Sequence, residues 1–182
     1  LQKKIKKKKH KVKIAVVGKY TNLKDSYKSL NEALVHGGIE NSADVDIKWI
    51  NSEKENNISL MKKLKGCDGI LIPGGFGIRG INGKINAIKY ARENNIPFFG
   101  ICLGMQLAVI EIAQNVLKIK NAHSSECKKT TKSVVGLMTE WVNKNRIEKR
   151  DKNSDKGGTM RLGAFRAILK KNSKIFSIYK NK

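Results

Sequence analysis

Short apolar runs alternate with amphipathic stretches along the first two thirds of the chain. Val12–Val17 (VKIAVV) is apolar and ends at Gly18, the mark of a buried strand. Asp25–His36 places Tyr27, Leu30, Ala33 and Leu34 on one face, which predicts a helix capped by Asp25 and stopped at Gly37-Gly38. Val45–Ile50 predicts a second strand, Ser59–Lys65 a short helix, and Gly69–Ile72 a third strand broken by Pro73-Gly74-Gly75. Lys84–Asn94 gathers Ile85, Ile88 and Ala91 on one side of a helix. Pro97–Ile101 predicts a fourth strand, and Leu103–Gln114 a helix entered without a loop. Such alternation implies parallel strands joined by right-handed crossovers. The fold class is α/β, a doubly wound, mostly parallel sheet.

Beyond about Lys118 the alternation fades. Val134–Met138 predicts a strand, Asn143–Gly158 a charged loop, Thr159–Leu169 another strand and Lys174–Tyr179 a helical turn. Sheets of this class place ligands at the carboxyl ends of their strands. The loops after Ile72 and Ile101 are therefore where chemistry is expected.

Composition adds bounds. The 182 residues suit one domain with a real core. No apolar stretch approaches the ~20 residues of a membrane span, and the start at Leu1 carries no signal-peptide core. A cytoplasmic protein without a membrane partner is expected, and a piece of something longer. The formal charge of +23 would suit nucleic acid. Yet the lysines are spread along the chain beside abundant Asn and Ile, as an AT-rich coding bias would leave them, so no specific nucleic-acid partner is expected. Only Lys3–Lys11 is dense, and residues 1–11 read as a basic linker remnant before a domain over 12–182. Cys67, Cys102 and Cys127 have neither disulfide-framework nor metal-ligand spacing, which fits a reducing compartment and no metal site.

Gly100-Ile101-Cys102-Leu103-Gly104 sets a nucleophile between two small residues at a strand-to-helix junction. A sharp turn there strains the backbone, projects the side chain from the sheet edge, and needs small flanks to close: a nucleophile elbow. The helix N-terminus beneath favours a thiolate, and the Leu103 N–H would meet a tetrahedral oxyanion. A free cysteine is more often a small buried core residue, and that reading stands beside the elbow. The loop Pro73–Lys84 (PGGFGIRGINGK) holds five glycines in twelve residues. It lacks the endings of a phosphate loop, but its place after the third strand makes it the second wall of a site at Cys102. The Gly75 amide is the candidate second oxyanion donor.

Pro73–Gly77 (PGGFG), Gly100–Gln106 (GICLGMQ) and Pro97 together resemble a class I glutamine amidotransferase. Gly18–Tyr20 (GKY), Tyr27–Gly38 (YKSLNEALVHGG), Thr139–Trp141 (TEW) and Gly157–Ala164 (GGTMRLGA) narrow the resemblance to the CTP synthase family, over about Val12 to Leu169. The resemblance implies that Cys102 attacks the side-chain amide of glutamine, releases ammonia, and forms a thioester that water hydrolyses. It implies that Leu103 and Gly75 hold the oxyanion, and that Gln106, Glu126, Arg161, Gly75 and Phe76 hold glutamine. An ammonium does need an acidic partner and a carboxylate a basic one, which suits Glu126 and Arg161.

The same resemblance implies no cofactor in this stretch. It implies a synthase domain of the same polypeptide that uses ATP and Mg to aminate UTP, GTP as an allosteric activator, and a homotetramer. Asn82 stands where the family usually carries Glu, which bears on the GTP response. The family's base is a His-x-Glu pair, and the chain is expected to stop at Lys182 before it. Of His10, His36 and His123, none matches that motif. Three rivals remain: another class I amidotransferase, a cysteine hydrolase on a similar sheet, and a basic nucleic-acid module in which Cys102 is structural.

Overall fold

A computed structural model describes residues 10–19, 24–75, 77–126, 131–136, 140–143, 146–149 and 166–179. The chain divides into two compact units, Leu1–Leu137 and Met138–Lys182.

The first unit is built on β1 (His10–Gly18), β2 (Ala43–Asn51), β3 (Gly69–Ile72) and β4 (Phe98–Gly100). They form one sheet in the order β2-β1-β3-β4, every neighbouring pair parallel. The helices between them are α1 (Lys28–Glu40), α2 (Asn57–Leu64), α3 (Ile81–Glu93) and α4 (Leu103–Glu111). Strand alternation sends Ala15, Val17, Ile50, Ile70 and Ile72 into one core cluster. Leu60 and Leu64 of α2, Ile85 and Ile88 of α3, and Leu107 and Ile110 of α4 close over it. Each such side chain contributes about 1.5–3 kcal/mol of burial. α1 rests on Val45, a neighbour of Ile50 at odd spacing and so on the other face of β2. Helices on both faces of a parallel sheet make the doubly wound α/β architecture expected above.

Most element ends shift from the sequence reading, and those of α1, α3 and α4 have a physical reason. A 3-10 turn, Lys24–Tyr27, precedes α1, which starts at Lys28 with Tyr27 as its N-cap and no side-chain cap. Gly37 and Gly38 do not stop α1, which runs on to Glu40. Gly38 is needed for approach rather than termination: a Cβ there would lie 2.7 Å from Val45 Cγ2 and 2.8 Å from the Ala43 carbonyl oxygen. α3 begins at Ile81, three residues early, because Gly80 turns the chain at φ 71° and Ile81 is already buried. α4 is regular only to Glu111 and continues as a π-helical turn, Ile112–Val116.

After α4, β5 (His123–Ser124) pairs with β6 (Ser133–Val135), and both pack against α4. β6 is the described part of the strand expected over Val134–Met138; Leu137 and Met138 lie outside the described residues.

In the second unit β7 (Glu140–Asn143) and β8 (Arg146–Lys149) form an antiparallel pair. β8 lies inside the stretch read as a charged loop. Its sequence RIEK holds one apolar residue among three charged ones, so no apolar alternation marked it as a strand. Of the strand expected over Thr159–Leu169, 166–169 take no regular form, and the rest lies outside the described residues. The helical turn at Lys174–Tyr179 is present as α5.

Candidate functional site

Only Ile101 and Cys102 separate β4 from α4. To make so abrupt a turn, Cys102 holds φ 51° and ψ −109°. This is a left-handed backbone that an L side chain adopts at a cost of about 1–3 kcal/mol. The flanking glycines are sterically required. A Cβ on Gly100 would lie 2.5 Å from the carbonyl carbon of Gly104, and one on Gly104 would lie 2.2 Å from the carbonyl oxygen of Ile72. The turn is stitched down by the Ile101 N–H donating to the Ile72 carbonyl (3.0 Å) and the Gly104 N–H to the Ile101 carbonyl (2.8 Å). Cys102 itself is exposed, which removes the reading of it as a core residue. Leu103 is buried, and as the first helical residue its N–H has no intrahelical acceptor. Gln106 follows one turn on, half-buried, its N–H on the Cys102 carbonyl at 3.1 Å.

Because the strands are parallel, Gly18, Ser52, Pro73 and Ile101 all come to the carboxyl edge of the sheet. The glycine loop after β3 does stand beside the cysteine: a Cβ on Gly74 would touch Cys102 Cβ at 3.5 Å. Among the described residues nothing lies within 4 Å of the corresponding point on Gly75. The far end of the loop is pinned. Arg79 pairs with Glu53 (Nε to Oε1, 3.2 Å), and Cβ atoms on Gly80 and Gly83 would fall 2.3 Å and 2.2 Å from the Ser52 side-chain and main-chain oxygens.

Glu126 is exposed in the turn after β5, its N–H on Ser124 Oγ at 3.2 Å. Phe76 and Arg161 lie outside the described residues, as does Cys127. Cys67 contrasts with Cys102: burial pushes its thiol up, and its Sγ donates to the Lys63 carbonyl at 3.7 Å. His10 opens β1, at the opposite sheet edge from Cys102. His36 is exposed on α1, and Nδ1 of His123 accepts from the Ser124 N–H at 2.9 Å. Among the described residues no three His, Cys, Asp or Glu side chains cluster as metal ligands, and no helix is long and apolar enough to cross a membrane.

Sequence reasoning missed an ion pair between a buried carboxylate on α4 and a partly exposed arginine on α3. Arg92 reaches Glu111 through Nε (3.1 Å to both carboxylate oxygens) and Nη2 (2.8 Å), and Asn115 adds a bond at 3.2 Å. The Glu111 side chain is fully buried. The signal was present: Glu111 stands at i+4 from Leu107 and i+8 from Leu103, on the apolar face of α4.

Comparison with known proteins places this geometry. A family model described as Glutamine amidotransferase class-I matches residues 22–181. A CTP synthase from Nitratidesulfovibrio vulgaris (strain DP4) is 54% identical over 171 residues, covering 92% of this chain and 31% of the relative. One from Bartonella tribocorum is 57% identical with the same coverage. The chain thus spans about a third of the length of the curated relatives it matches. Among solved structures, the glutaminase domain of Trypanosoma brucei CTPS with bound acivicin is similar. It aligns with a TM-score of 0.65 and 45% identity, over 70% of this chain and 50% of that one.

Proposed function

The chain belongs to the class-I glutamine amidotransferase family; from that premise we propose that it is a glutaminase domain of the CTP synthase kind, with Cys102 as nucleophile. The observation that carries this is the exposed Cys102 held at φ 51° with Gly74 against its Cβ. A thiol so placed attacks the side-chain amide carbon of glutamine. The carbonyl oxygen takes up negative charge beside the amides of Leu103 and Gly75. Collapse breaks the C–N bond, ammonia leaves with a proton, and a glutamyl thioester remains. Water then hydrolyses that thioester to glutamate and restores the thiol. Gln106, Glu126, Phe76 and Arg161 hold the substrate, the acid on its ammonium and the arginine on its carboxylate.

Proton transfer to the leaving ammonia needs a base. His10, His36 and His123 match no His-x-Glu pair, and the base is assigned to none of them. The ammonia feeds a synthase domain of the same polypeptide. That domain uses ATP and Mg to convert UTP to CTP in the cytoplasm, with GTP as activator and a tetrameric assembly. Similarity to CTP synthases at 54% and 57% identity supports this over other amidotransferases.

Ligand-induced stabilisation tests the binding half of the proposal. Glutamine at about 100 times its Kd adds about 2.7 kcal/mol, which for a chain of this size raises Tm by about 5–10 °C. Acivicin, which the trypanosomal domain binds, should do likewise, and asparagine, one methylene shorter, should do far less. A melt unmoved by both glutamine and acivicin overturns the proposal.

A further inference from the structure

Tyr27 was expected on the apolar face of a helix. It stands instead in the 3-10 turn before α1, at the carboxyl edge of the sheet. Its ring stacks on Trp49 of β2, with centroids 5.3 Å apart and planes 21° from parallel. Its hydroxyl lies over Gly18, the last residue of β1. A Cβ at Gly18 would meet the Tyr27 hydroxyl oxygen at 2.6 Å and Pro73 Cγ at 3.3 Å, so glycine is the residue that lets both approach. Tyr27 and Pro73 therefore flank one point above Gly18. Pro73 opens the glycine loop, Gly74 follows against Cys102 Cβ, and Gly75 carries the proposed oxyanion amide.

We infer that Tyr27, braced by Trp49, is a positioning residue for the oxyanion loop. This rests on the glutaminase proposal. The ring and hydroxyl fill the space beside Pro73 and fix where the Gly74-Gly75 turn stands relative to Cys102. Tyr27 does not reach the reacting atoms. It acts through Pro73, over the crevice between β1 and β3, where the strand order reverses and such sheets bind ligands. Neither Tyr27 nor Trp49 belongs to the buried core cluster, so replacing them leaves that core intact.

Two electrophiles separate positioning from mere exposure of the thiol. A chloroketone analogue of glutamine reacts by addition of the thiolate to the ketone as a tetrahedral alkoxide; sulfur then shifts to the adjacent methylene carbon, displacing chloride as the carbonyl re-forms. Its rate therefore reads the oxyanion donors. Iodoacetamide alkylates by direct displacement of iodide and needs no such donors. Misplacing a reacting group by about 1 Å costs on the order of 100-fold. Tyr27→Ala is accordingly expected to slow chloroketone labelling of Cys102 by about 10-fold or more while leaving iodoacetamide labelling within about 2-fold. Tyr27→Phe keeps the ring and is expected to restore most of the rate. Trp49→Leu, on β2 with two strands between it and β4, is expected to show the Tyr27→Ala pattern more weakly. Should Tyr27→Ala fail to melt cooperatively, Trp49→Leu and Tyr27→Phe carry the test by the same ratio. If the variants keep the parent ratio of the two rates, the inference is overturned and the glutaminase proposal stands. If the parent chain takes iodoacetamide but not the chloroketone, both fall together.

Discussion

Adding one methyl group at Gly104 tests whether the elbow is held by backbone contact with β3. The new Cβ would lie 2.2 Å from the Ile72 carbonyl oxygen, about 1 Å inside ordinary contact. That oxygen cannot retreat freely, because it accepts the Ile101 N–H at 3.0 Å. Either α4 lifts from the sheet or this hydrogen bond stretches. Overpacking of this kind costs about 1–3 kcal/mol, and losing the bond adds about 1 kcal/mol. Gly104→Ala should therefore destabilise by about 2–4 kcal/mol, lowering Tm by about 5–15 °C. Because Leu103 moves with α4, labelling of Cys102 by a glutamine-mimicking chloroketone should slow by about 10-fold or more below the melt. Gly37→Ala is the matched control. It is also helical, no described residue lies within 4 Å of its Cβ point, and alanine there should stabilise by about 0.5–1 kcal/mol. Thermal melts and labelling rates of the two variants, taken side by side, decide the matter. A Gly104→Ala protein with the parent's Tm and labelling rate would refute the close packing assigned to the elbow.

Three further predictions concern strain, a partly buried pair and a surface pair. Cys102→Gly should be more stable than Cys102→Ala by about 1 kcal/mol, since only glycine relaxes at φ 51°; equal Tm values would show that no strain is stored there. Arg92→Ala should lower the denaturant midpoint by removing the guanidinium from the buried Glu111 carboxylate, and Arg92→Met combined with Glu111→Leu should recover much of the loss. An unchanged midpoint in Arg92→Ala would show the pair to be dispensable. Bonds from Lys63, first, and Ser59 hold the Glu55 carboxyl below its ordinary value. Its contribution is thus full above about pH 5 and fades as pH falls through the lowered value. The Tm gap between parent and Glu55→Gln should be small, widest at neutral pH, and shrink as pH falls through the lowered value; a gap that widens in acid would contradict this.

Much of the fold was legible because burial and spacing agree in the strands. Ala15–Val17 and Gly69–Ile72 are buried throughout, as apolar runs in a parallel sheet should be. The elbow was legible for a steric reason: Gly100 and Gly104 stand where no side chain fits. The loop was placed correctly beside Cys102, although Gly74 rather than Gly75 is the glycine that faces its Cβ.

Three features escaped because one residue type serves two physical ends. Gly37-Gly38 read as a helix stop, yet Gly38 serves close packing against β2 inside a continuing helix. Glu111 and Lys84 drew no reading of their own as buried residues. Their register on the apolar faces of α4 and α3 placed both in the interior. Tyr27 read as core from its helical spacing, but the chain is not yet helical there, and the ring turns to Trp49 instead.

The measurement that bears most directly on the central claim is a peptide map after brief treatment of the 182-residue chain with the glutamine-mimicking chloroketone. The account predicts a single adduct, on Cys102, that excess glutamine suppresses, with Cys67 unmodified behind its buried, raised thiol. No adduct, or equal modification of Cys67, Cys102 and Cys127, would contradict it.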